Sequence, residues 1–141
     1  MSFLARYEAL QQKLETAVDQ ALESEVAETV KDIMEEKLES VVYSYQATPE
    51  AMAVRRYANG GLQSRANMNS RVEESHTLVV ENVAPLQGTP TGRALSDVVN
   101  DGDSNYRQPG PRPFVTETET EAISSGRALS ALMNGLKMRG I

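Results

Sequence analysis

From residue 3 to about residue 42 the chain contains neither Gly nor Pro, and apolar side chains recur at helical spacing: Leu10, Leu14, Val18, Ala21, Leu22, Val26, Val30, Ile33, Met34, Leu38 and Val41. That spacing gathers them into one stripe and leaves a Glu-rich opposite face, the pattern of an amphipathic helix. The stretch predicts one long helix, bent or broken near Ser24 if anywhere. At 1.5 Å per residue, about forty residues extend roughly 60 Å, which exceeds the width of a domain built from 141 residues. Either the helix folds back, or part of it packs on something outside its own domain.

Charge separates this segment from the rest. Residues 1–42 hold four basic residues (Arg6, Lys13, Lys31, Lys37) against ten acidic ones, so the whole net charge of −6 falls there; the remaining residues hold ten of each sign. An acidic chain without a basic stripe is poorly suited to gripping nucleic acid through its phosphates, although it can repel DNA. With no cysteine, disulfide, zinc-knuckle and thiol chemistry are excluded. No apolar run approaches the roughly 20 residues of a membrane span, so the expectation is a soluble protein made in the cytoplasm, with no membrane partner.

After the first helix, "VVYSYQATPEAMAVRRYANGGLQ" begins strand-like, then offers Thr48 as a cap and Pro49 as a first helical residue before a short helix. Asn59, Gly60 and Gly61 form a breaker. "MNSRVEE" and "HTLVVENV" predict a β-hairpin with a tight connection at Glu74 to His76, Leu78 and Val80 facing one way and Val79 the other. "RALSDVVN" reads as a short helix stopped at Asn100 to Gly102. In "PRPFVTET", Pro113 stiffens the backbone beside Phe114 and suits a loop-to-helix handover, so the Phe is an anchor aimed either into the core or at a neighbouring subunit. A last helix is expected over Val115 to Arg139. Thr116 with Glu119 and Thr118 with Glu121 stand at capping-box spacing, and Gly140 is placed as its C-cap. The small residues Ala122, Ser125 and Gly126 would admit a close backbone. The fold class is therefore α+β in a single domain: a long helix over 1–42, a hairpin and loop region with a short helix over 43–111, and a C-terminal helix over 112–141.

Candidate chemistry is sparse. Asp101, Asp103 and Asn105 match the start of a calcium loop, but Tyr106 stands where Gly is required and Arg112 where a bidentate Glu is required. "GTPTGRA" has Gly88 and Gly92 without the Lys and hydroxyl of a phosphate loop. His76, the only histidine, falls in the hairpin turn with no activated Ser nearby in sequence. The pair Arg55 and Arg56 beside Tyr57 suits a clamp on a partner's carboxylates. No catalytic constellation, metal or cofactor is expected.

Taken together, "VVYSYQATPEAMAVRRYANGGL", "TLVVENVAP", "LSDVVNDG", "RPFVTETETEAISS" and "ALMNGLKMRGI" resemble the small tail-completion or head-to-tail connector proteins of long-tailed bacteriophages, of the minor tail-component type, over residues 25–141. The resemblance implies a ring-forming part of the virion neck, sixfold in preference to twelvefold. Its partners would be the portal-side connector or stopper and the tail terminator or tube, with DNA passing through the channel without specific binding. Arg55, Arg56, Tyr57, Gly60, Gly61, Arg112, Pro113 and Phe114 are then the structural and interface residues. The acidic first helix supplies channel-lining candidates in Glu28, Glu35 and Glu39, since like charge repels phosphates. The alternative is a cytoplasmic helical binding module or dimeric regulator that uses the first helix as a coiled coil. Against it, Ala17, Val18, Ala21, Leu22 and Val26 drift from a 3.5-residue repeat towards 3.6.

Overall fold

The computed structural model of the chain describes residues 2–42, 61–74, 76–84, 96, 99–100 and 113–141. The first helix is unbroken from Phe3 to Val42 and does not fold back. Helix α1 (Phe3–Ala21) starts at Ser2, whose hydroxyl accepts from the Ala5 amide at 3.2 Å. It passes through a π-helical turn at Leu22–Val26 into α2 (Ala27–Lys37), which ends in a second π-helical turn at Leu38–Val42. The break expected near Ser24 is thus one wide turn: an i→i+5 turn sets Val26 over Ala21, and both are buried. Val41 and Val42, strand-like in sequence, belong to the helix because Val42 completes its buried face.

A short 3₁₀ turn, Arg65–Asn67, leads into β1 (Met68–Glu73), which pairs antiparallel with β2 (Thr77–Asn82) in the register Met68 to Asn82, Ser70 to Val80 and Val72 to Leu78. These pairs form the inner face of the hairpin, while Asn69, Arg71 and Glu81 point outward. Ser96, Val99 and Asn100 have helical backbone. The anticipated short helix after Pro49, the first residues of the one expected over 93–100, and the segments 85–92 and 101–112 lie outside the described residues.

The C-terminal segment is two helices, α3 (Phe114–Ser124) and α4 (Arg127–Met138). Gly126 divides them with φ +76, a left-handed conformation in which an L side chain is strained. Its expected role, close approach of a backbone, belongs instead to Gly135: a Cβ there would stand 2.8 Å from Cβ of Ala21 and 2.9 Å from Oε2 of Glu25. The two expected capping boxes do not form. Asn100, remote in sequence, caps α3 through Oδ1, which accepts from the amides of Val115 at 3.0 Å and Thr116 at 3.2 Å. Thr118 turns inward and donates to the Phe114 carbonyl at 2.6 Å. Gly140 ends α4 as expected, with φ +78; its amide donates to Lys137 and that of Ile141 to Leu136, a Schellman pattern.

One apolar cluster holds these elements together: Met34, Leu38 and Val42 from the long helix, Leu62, Met68 and Ala84 around the hairpin, Val99, and Phe114. Phe114 is fully buried, which settles it as a core anchor. Phe114→Ala is expected to cost about 3–5 kcal/mol, read as a lowered midpoint in urea unfolding. Gly135→Ala should cost about 1–3 kcal/mol by forcing α4 away from Ala21, and Ala21→Gly in the same chain should restore part of the loss.

Candidate functional site

Helix periodicity places Glu28, Asp32, Glu35 and Glu39 on one face of α2 and its π-helical extension, and Glu36 beside them. A shallow groove of about 470 Å³ runs along this face, lined by Asp32, Glu35, Glu36, Glu39, Gln63 and Arg127. Its floor is set by the tight turn before β1. The Gly61 carbonyl accepts from Asn67 Nδ2 at 3.0 Å and from the Ser64 amide at 3.2 Å, which aims Gln63 and Arg65 at the helix.

Gln63 is buried, and its Nε2 donates to the Glu35 carbonyl at 3.1 Å and to Glu39 Oε2 at 3.2 Å. A π-helical turn shifts the backbone ladder, and this carbonyl lies at its edge, where a side chain can reach it. Gln63 Oε1 is buried without a hydrogen-bond partner among the described residues. Arg65 spans three carboxylates: Nη1 is 3.5 Å from Glu28, Nε is 3.3 Å from Glu35, and Nη2 donates to Asp32. At the other end Arg127 grips Glu36 with both Nη atoms, at 2.6 and 3.0 Å. That fork holds the Glu36 carboxyl below its ordinary range and raises the Arg127 guanidinium. Five carboxylates against two guanidiniums leave the face negative.

Glu28, Glu35 and Glu39, the channel-lining candidates, therefore share one face, already engaged by Arg65 and Gln63. Pro113 and Phe114 serve the fold, Pro113 through a carbonyl that accepts the Glu117 amide at 2.9 Å. Arg55, Arg56, Tyr57, Gly60 and Arg112 lie outside the described residues, as do Asp101, Asp103 and Asn105 of the calcium-like loop and Gly88 and Gly92 of the phosphate-loop-like stretch. Sequence reading missed Gln63, Arg65 and Arg127. The i, i+4, i+7 spacing of Glu28, Asp32 and Glu35 marks a face, but nothing local says which cation meets it. Among the described residues, no group of three or more His, Cys, Asp or Glu side chains is arranged to hold a metal ion, and no helix is long and apolar enough to cross a membrane.

A family model matches residues 6–138, nearly the whole chain; its description is YomN. The chain belongs to the YomN family. The family is phage-derived, which makes this a phage-related protein and supports the coarser part of the resemblance seen in sequence. No curated protein and no solved structure matches the chain significantly.

His76 occupies the hairpin turn with φ 56, but it is not the lone surface histidine its sequence position suggests: its Nδ1 lies 2.7 Å from Asp19 Oδ1 on α1. The hydrogen bond to Asp19, with a further contribution from Glu15, raises the imidazole above its ordinary 6.5. Because the folded value is the higher one, the stabilisation is complete below the unfolded value and is lost as pH rises through the folded value. Melting temperature should thus fall modestly as pH rises past the unfolded value of about 6.5 and through the raised folded one, and His76→Gln should flatten that slope without abolishing folding. An unaltered slope in the variant would place the titration elsewhere.

Proposed function

We propose that this YomN-family chain is a non-catalytic structural protein of the phage virion, a ring-forming tail-completion or head-to-tail joining component of the neck. The observation that carries the reading is the first helix: residues 3–16, roughly 20 Å of it, are exposed on essentially every side while still bearing large apolar residues. A projecting helix of that length is marginal alone and gains stability from a partner, as in an assembled particle. The phage-derived family and the resemblance of residues 25–141 to neck components support the same assignment.

In this reading the chain assembles with itself, sixfold in preference to twelvefold, between a portal-side connector or stopper and a tail terminator or tube. The face bearing Glu28, Glu35 and Glu39 would line the DNA channel. Arg65 and Arg127 neutralise part of that face, so its remaining negative charge would discourage phosphate binding without a strong repulsive field. The exposed apolar residues of α1 would equally serve a cytoplasmic helical binding module or dimeric regulator.

Deleting the gene from an inducible phage separates the two. A neck component is expected to be present in purified virions, and its loss to leave filled heads and free tails that do not join, restored by expression in trans. Normal particles from the deletion strain, or a protein found only in the cytosol, would overturn the assignment.

A further inference from the structure

The exposed apolar residues of α1 follow a definite geometry. Phe3, Tyr7, Leu10 and Leu14 alternate steps of four and three residues, the spacing of a coiled-coil seam, and Leu4 lies beside them. All five are between 41% and 85% exposed. The seam continues inward at Ala17 and Ala21, where it is already occupied: both are buried, and α1 packs there on α4. The same stripe is thus a helix-to-helix contact at its inner end and bare at its outer end.

We propose that residues 3–14 of α1 pack against the same segment of a second copy of this chain, parallel and in register. With Tyr7 and Leu14 at one core position of the heptad and Phe3 and Leu10 at the other, the flanking positions are Arg6 and Lys13 on one side and Leu4, Gln11 and Val18 on the other. An antiparallel pair would set Arg6 against Lys13 of the other copy twice over, a like-charge contact at each end. A parallel pair sets Arg6 opposite Gln11 and Lys13 opposite Val18, with no such conflict. The area is also sufficient. Burying the exposed parts of the five apolar residues removes roughly 500 Å² from each copy, about 1,000 Å² for a pair, the size at which specific interfaces begin. The association is weak and concentration-dependent. It does not rest on the virion reading: a parallel in-register pair is closed by its own twofold axis and does not by itself build a ring.

The absence of native cysteine allows a direct test on the isolated full chain. In a parallel in-register pair, position 14 meets position 14, so Leu14→Cys alone should form a disulfide-linked dimer under mild oxidation, well above an outward-facing control, Glu8→Cys. Cross-linking of Leu14→Cys no better than the control overturns the parallel pair. So does a clear preference for linking Leu14→Cys to Phe3→Cys in a mixture, which marks an antiparallel one. Tyr7→Glu with Leu10→Glu should leave the urea unfolding midpoint of the body unchanged, since both residues are exposed and lie away from the core cluster. It should weaken self-association in sedimentation equilibrium by ~100-fold or more. Wild-type protein that stays monomeric at about 100 μM, where a weak pair of this size must populate, defeats the proposal.

Discussion

The body is registered against the inner face of α2 and the π-helical turn that follows it. Met34, Leu38 and Val42 present the apolar side to which Leu62, Met68, Ala84, Val99 and Phe114 all come, each from a different stretch of chain. A small domain has room for few such clusters, so each member carries a large share of the burial. Phe114 matters most because it is the largest fully buried side chain and also the first residue of α3. Pro113 restricts the backbone just before it, so burial of one ring fixes where a helix begins and the direction in which it leaves.

Charge then sets orientation around that core. Three arginines from distant parts of the sequence reach the acidic long helix: Arg65 before the hairpin to Glu28, Asp32 and Glu35, Arg127 at the start of α4 to Glu36, and Arg139 at its end to Glu25 at 2.9 Å. Exposed ion pairs contribute little energy singly, yet a bidentate fork and a three-carboxylate bridge restrict geometry. The Arg139 pair is the least exposed of these, and its guanidinium also donates to the Gly135 carbonyl at 2.8 Å, tying the end of α4 to its own last turn. It holds Glu25 below the ordinary carboxylate range, so its contribution is present near neutrality and is lost as pH falls through that lowered value. The acidity of the first helix is therefore partly a set of docking points for the rest of the chain and only partly a surface field.

The two ends of the long helix differ in kind. From Ala17 onward it is a core element, with π-helical turns that keep successive buried residues on the packed side; before Ala17 it is an arm with an exposed apolar stripe. That division makes the chain readable as a component of something larger, in keeping with its phage-derived family. Gly135 sharpens the division. Where α4 passes Ala21 the two helices approach so closely that a Cβ at position 135 would stand 2.8 Å from that of Ala21.

Much of this was legible in the residues. The long helix, the hairpin with its turn at Glu74 to His76, the Phe114 anchor and the Gly140 stop each rest on local signals: periodicity of 3.6 or 2, a fixed proline φ, a glycine able to take positive φ. Local signals failed where a remote group could do better. Two capping boxes near the start of α3 gave way to Asn100, because a side chain fifteen residues upstream was held at the helix end by the packing of Val99. Gly126 and Gly135 look alike in sequence, yet one breaks a helix and the other admits Ala21, a distinction that exists only once α4 lies across α1. Which cations meet which carboxylates was likewise beyond reach, since Coulomb attraction depends on distance in space and not along the chain. The sequence by itself determined the long helix, the hairpin and a helical C-terminal segment, and that the first helix outreaches its own domain; only the tertiary structure decided which part of that helix is core and which is bare, because burial is a property of what lies opposite.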